Sequence, residues 1–76
     1  MDKGRLQKVL VAFNERHQSL IKDGYRDLHA SSSHYNSYVK MSHRNGNIVF
    51  LVAYFETYTI TQRTNGKLVH EETITR

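Results

Sequence analysis

Apolar residues recur at Leu6, Val9, Leu10, Phe13, Leu20 and Ile21, with His17 on the same stripe. Intervals of three, one and three residues place them on one face of an amphipathic helix. Asp2 can cap its start, Lys22 sits favourably in its last turn, and Gly24 suits the left-handed residue just past its end. The pattern predicts a helix over about residues 3–23. The serine-rich stretch that follows favours local backbone hydrogen bonds over a regular element, so a loop is expected over about residues 24–33. Tyr25 and Leu28 are expected to fold back from it onto the core.

Two Asn-Gly pairs, Asn45-Gly46 and Asn65-Gly66, each lie between runs of strand-forming residues. A two-residue Asn-Gly loop suits a type I′ turn, whose twist matches that of paired strands. At the first turn this register puts His43–Ile48, Met41–Phe50, Val39–Val52 and Ser37–Tyr54 on one strongly apolar face. Ser42–Val49, Lys40–Leu51, Tyr38–Ala53 and Asn36–Phe55 share the other. At the second turn it pairs Gln62–Val69, Ile60–Glu71 and Tyr58–Thr73 on the first face, and Arg63–Leu68, Thr61–His70, Thr59–Glu72 and Thr57–Ile74 on the second. The strands implied are about 34–44, 47–62 and 67–75. The middle one is unusually long and must coil or bulge, most readily near Glu56, where the apolar pattern changes. The expected fold is α+β. One N-terminal amphipathic helix packs on a three-stranded antiparallel meander, α-β-β-β, covering the face of Ile48, Phe50, Val52, Tyr54, Tyr58 and Ile60.

One helix covers one side of a sheet, so the expected exposed face carries Val49, Leu51, Ala53 and Phe55 in a row, with Tyr38 and Lys40 beside them. A contiguous apolar patch of this kind marks a contact surface. It suits self-association as a dimer or docking on a partner protein, unless the loop 24–33 folds over it or a strong bulge turns Phe55 inward. A base-stacking platform is a further reading, with Tyr38 and Phe55 as aromatics and Lys40, Arg63 and Arg76 for phosphates. Against it, platforms spread aromatics over adjacent strands, whereas this row is mainly aliphatic.

Composition narrows these options. The chain has 76 residues, a length suited to one domain spanning all of them, with a small core and little stability to spare. It lacks cysteine, which excludes disulfides and thiolate metal sites. The N-terminal stretch is charged and amphipathic, so no signal peptide is expected. The longest apolar run, Ile48 to Phe55, is far short of the roughly 20 residues of a membrane span. A cytoplasmic location and no membrane partner are therefore expected. Net charge is +4, which suits an acidic partner, nucleic acid among them.

The charge is unevenly placed. No Asp or Glu falls within residues 28–55, while His29, His34, Lys40, His43 and Arg44 do. Lys3, Arg5 and Lys8 crowd the positive end of the helix dipole, where acids are favoured. With Arg16, Lys22 and Arg44 they form a candidate surface for an acidic partner. The hairpin tips bearing Arg44 and Arg63/Lys67 are expected at opposite ends of the long middle strand, which disperses the charge.

Chemistry-bearing sets are sparse. His29 and His34 flank Ala30-Ser31-Ser32-Ser33, and two histidines without further ligands make a weak metal site. Ser31–Ser33 with His34 and Asp27 have no rigid support as a nucleophile set. No metal, no cofactor and no catalytic residues are expected, and no enzyme activity. The reading reached is a non-enzymatic interaction module, docking through a sheet face and presenting a basic helix to an acidic partner. Accessory or inhibitor proteins of phages and mobile elements that act on nucleic-acid-handling machinery share this size and build. The alternative is a direct nucleic-acid binder using the helix and the acid-free segment.

Overall fold

The chain enters its helix through Asp2, whose side chain accepts the backbone N–H of Arg5 at 3.0 Å. The computed structural model describes residues 2–75. Helix α1 runs over Lys3–Lys22. It ends in a Schellman pairing: Tyr25 N–H bonds to the Leu20 carbonyl and Gly24 N–H to that of Ile21, both at 3.0 Å, with Gly24 at φ 100°. Val9 and Leu20 are buried along its inner face, and Leu6, Ala12 and Phe13 are half-buried around them. The inner stripe is narrower than the sequence spacing suggests, because Leu10 and Ile21 stand exposed together with Val11.

The sheet has five strands, not three: β1 (Arg26–Ser32), β2 (Asn36–Ser42), β3 (Ile48–Tyr54), β4 (Thr59–Thr64) and β5 (Lys67–Thr73). They form an antiparallel meander in the order β1-β2-β3-β4-β5. The α+β class stands, but two features overturn the three-stranded expectation. First, the segment read as a loop contains β1. Every residue of β1 is exposed, so it carries none of the apolar alternation that marks a half-buried strand. Second, the expected long middle strand breaks where its apolar pattern changes. Residues 55–58 turn the chain back, so that Tyr54 pairs with Thr59. Tyr58 takes φ 54° there, its carbonyl accepts Ile74 N–H at 2.8 Å, and Phe55 N–H bonds to the Tyr35 carbonyl at 3.0 Å.

The two Asn-Gly turns differ. Asn65 and Gly66 both have positive φ, 52° and 83°, as a type I′ turn requires. In the first turn Gly46 alone does, at 97°, and its N–H bonds to the His43 carbonyl at 2.9 Å. His43 N–H in turn bonds to the Asn47 carbonyl at 2.9 Å. This is a three-residue loop, a type I turn closed by a left-handed glycine. The extra residue shifts the ladder by one, so Val39 faces Leu51, Met41 faces Val49 and Ser37 faces Ala53. The second hairpin follows the expected register only at its tip, where Arg63 faces Leu68. A bulge then brings Gln62 opposite His70 and Ile60 opposite Glu72.

A one-residue slip exchanges the two faces of a strand. Val49, Leu51 and Ala53, expected on the exposed side, are fully buried beneath α1, with Val39, Met41 and Ile60. Phe55 turns in from the β3–β4 turn to join them. Ile48, Phe50, Val52 and Tyr54, expected under the helix, are on the opposite face. The slipped register is the more stable one because it places the aliphatic rows of β2 and β3 together against Val9 and Leu20. Tyr25 does pack on this core, whereas Leu28, at the β1 bulge, is exposed. No helix among the described residues is long and apolar enough to cross a membrane.

Candidate functional site

Helix α1 lies across the core face of β3 and β4, and among the described residues no element covers the other face of the sheet. Pairing builds that face in rows. His29, Lys40, Phe50, Arg63 and Leu68 form one that crosses all five strands. Ser31, Tyr38, Val52, Thr61 and Glu71 form the next, and Asn36, Tyr54, Thr59 and Thr73 a third. Towards the hairpin tips, Arg26 lies opposite Ser42 and Ser42 opposite Ile48.

Aromatic rings link adjacent strands across these rows. Tyr38 and Phe50, diagonal neighbours on β2 and β3, stack with centroids 5.0 Å apart and planes 14° from parallel. His29 of β1 leans on Tyr38 at 5.7 Å and 47°. Diagonal cross-strand positions lie within reach of rings of this size. Phe50 and Tyr54 remain 38% and 42% exposed. Val52, on the same face and between them along β3, is nevertheless buried, since its neighbours' rings stand around it. The face is thus an aromatic layer over β1–β3, bordered by threonines on β4.

Lys40 and Arg63 flank Phe50 on either side, and Glu71 is the acid in these rows. Among the described residues the ion pairs are His17–Asp27 at 2.7 Å and His70–Glu72 at 3.4 Å, so no Lys or Arg is committed to a carboxylate. The tips of the two Asn-Gly hairpins lie side by side at one end of the sheet, not at opposite ends as a single long strand implied. Asn65 N–H bonds to the Ile48 carbonyl at 2.8 Å, its Oδ1 accepts Ile48 N–H at 2.9 Å, and its Nδ2 donates to Asn47 Oδ1 at 3.2 Å. Arg44 and Lys67, both exposed, therefore belong to the same end as Arg26 and Arg63.

The basic helix divides. Arg5 sets its guanidinium carbon 4.0 Å from the centre of the Tyr58 ring and donates to the Ile74 carbonyl. Arg16 forks onto Gln62 Oε1 through Nε and Nη2, at 3.0 and 2.8 Å. Both tie α1 to the sheet and are not free to meet a partner in this arrangement. Lys3, Lys8 and Lys22 are exposed. Of the six residues expected to form one basic surface, Arg5 and Arg16 are half-buried against the sheet, Lys3 and Lys8 lie towards the start of the helix, and Arg44 lies at its other end with Lys22, next to His43, which contacts the Asp23 carbonyl at 3.0 Å.

Other candidate chemistry disperses. Asp27 bonds to His17, while Ser33 Oγ accepts the N–H groups of Tyr35 and Asn36 at 3.1 and 3.3 Å, a turn-forming role. His29 sits within β1 and His34 in the turn beyond it. Among the described residues no three His, Asp or Glu side chains group as a metal site would. Arg76 lies outside the described residues.

Of the expected contact row, Tyr38 and Lys40 stand on the uncovered face and Val49, Leu51, Ala53 and Phe55 do not. His29, Phe50 and Tyr54 were missed there. The signal for Phe50 and Tyr54 is their alternation with Val52 along β3, legible only once the three-residue turn sets the register; His29 lies in β1, which carries no such signal. Comparison with known protein families, curated proteins and solved structures finds no match.

Proposed function

We propose that this chain is a non-enzymatic binding domain whose working surface is the helix-free face of its sheet and whose partner is anionic. One observation carries the reading: the row His29–Lys40–Phe50–Arg63, which sets an exposed ring between two cations with no carboxylate paired to either. Exposed apolar surface combined with unopposed positive charge suits a partner that offers flat or apolar groups and negative charge together. Self-association through the same face is disfavoured. A two-fold pairing of sheets brings Lys40 and Arg63 of both subunits into one interface, where Glu71 is the single acid of these rows, so the paired surface carries excess positive charge.

The test places a photo-reactive phenylalanine analogue at Tyr54, on the sheet face, or at Leu10, on the exposed side of α1. After irradiation in the source cells, adducts from position 54 and not from position 10 are expected. Adducts from position 10 alone, or from neither, would overturn the reading.

A further inference from the structure

We propose that the occupant of this face is single-stranded nucleic acid, with bases stacked on the exposed rings of Phe50 and Tyr54, Tyr38 backing Phe50 from the neighbouring strand, and phosphates met by Lys40, Arg63 and the clustered hairpin tips. The inference rests on the sheet-face reading above and adds the chemical class of the ligand.

Three observations point the same way. The first is the distribution of rings. A stacking platform needs aromatics on neighbouring strands, and His29, Tyr38 and Phe50 occupy three adjacent strands, with Tyr54 further along β3. Tyr38 and Phe50 already form a near-parallel stack, so a base laid against it adds another layer to an existing π-stack. At about 3.3 Å per residue, Phe50 and Tyr54 are roughly 13 Å apart, which leaves room for separate bases. Every base has a π-face, so recognition of this kind tolerates sequence.

The second is the position of the charge. Lys40 and Arg63 border the rings, and Arg26, Arg44 and Lys67 continue the positive charge towards one end of the sheet. A strand lying on the rings can run its backbone towards that end, where counterion release adds to affinity. Thr73, exposed at the border of the same face and bonded through its hydroxyl to that of Thr59 at 3.1 Å, adds a hydroxyl of the kind that hydrogen-bonds phosphate and sugar oxygens.

The third excludes the duplex. In a double helix the base faces are already stacked and only their edges are open, which a sheet of upright rings cannot use. Helix α1 is a poor groove reader as well, because Arg5 and Arg16 are turned inward to the sheet.

The experiment is fluorescence anisotropy with labelled single-stranded DNA and RNA and a hairpin duplex of equal length, at about 50 and 200 mM salt, the range over which counterion release is large. Saturable binding of single strands is expected, at least about ten-fold tighter than the duplex. Phe50→Ala and Tyr54→Ala should each weaken it by about 5- to 150-fold, the worth of one stacked base. Lys40→Gln with Arg63→Gln should weaken all probes and flatten the salt dependence. Phe50 and Tyr54 are partly exposed and Lys40 and Arg63 exposed, so each variant should keep the wild-type circular dichroism spectrum, and binding is compared below its melting transition, which separates lost contacts from lost folding.

No saturable binding at the lower salt would overturn the inference. Binding that survives both aromatic substitutions but is lost in Lys3→Gln/Lys8→Gln/Lys22→Gln would do the same, as would equal competition by inorganic polyphosphate, which has charge but no bases. A protein adduct from position 54 alongside failed anisotropy would leave the sheet-face reading standing and remove nucleic acid as its ligand.

Discussion

Arg5 lies over the ring of Tyr58, with its guanidinium carbon 4.0 Å from the ring centre, and the Tyr58 hydroxyl accepts the backbone N–H of Asp2 at 3.0 Å. The start of α1 is thereby fastened to the turn that separates β3 from β4. Tyr58 holds φ 54°, a region that costs a non-glycine residue about 1–2 kcal/mol. Contacts with Arg5, Asp2 and the Ile74 N–H compensate for it. The cation at the positive end of the helix dipole, unfavourable by local rules, is accounted for by this contact. Arg5→Met should destabilise the fold by about 1–2 kcal/mol, the sum of a cation–π contact and a backbone hydrogen bond. Urea unfolding measures it, and Lys8→Met, at an exposed position of the same helix, should shift the midpoint little.

The two faces of β3 give the second prediction. Leu51 is fully buried beneath α1, and Leu51→Ala should cost about 2–5 kcal/mol. Tyr54, on the other face, should tolerate Tyr54→Ala with a loss below about 1 kcal/mol. In a domain this small the first change brings the protein close to unfolding at room temperature. Comparable losses for the two would show that the face assignment is wrong.

How much of this was legible in sequence depended on what each residue buries. Helix α1 announces itself through Leu6, Val9, Phe13 and Leu20, which pack on one side, and through its cap residues. The hairpin positions follow from Asn-Gly chemistry. The strand count does not, because β1 buries no side chain and its serines read as loop, and because the break at residues 55–58 carries neither Gly nor Pro. The register of the first hairpin differs from the expected one for a physical reason. Asn-Gly fits both a two-residue and a three-residue loop, and both registers give plausible faces on β2 and β3. That choice decided which side was core, so the candidate surface shifted from Leu51 and Ala53 to Phe50 and Tyr54.

Two glycines with positive φ should respond differently to a methyl group. A Cβ at Gly46 meets no atom within 4 Å, so Gly46→Ala should cost only the backbone term, about 1 kcal/mol. A Cβ at Gly24 falls 2.9 Å from His43 Nε2, the atom that contacts the Asp23 carbonyl at 3.0 Å. Gly24→Ala should therefore cost more than Gly46→Ala, by roughly the 0.5–1.5 kcal/mol of a hydrogen bond if His43 moves away. Paired thermal melts of the two variants measure the difference, and equal losses would show that His43 yields without consequence.

The last prediction concerns the edge strand. Every residue of β1 is exposed, and the strand is held by its ladder to β2 and by the 2.7 Å contact between Asp27 and His17 of α1. β3 and β4, by contrast, contain Val49, Leu51 and Ile60, all fully buried. Local opening follows the density of buried contacts, so β1 should detach at lower free energy than the β3–β4 ladder. In native-state hydrogen exchange, the β1 amides bonded to β2 should exchange faster than the ladder amides of β3 and β4. Asp27→Asn should speed β1 further, by up to about five-fold, since an exposed pair contributes under about 1 kcal/mol. It should leave β3 almost unchanged. Uniform exchange across β1–β4, with Asp27→Asn accelerating all of it equally, would mean that the strand opens only with the whole domain.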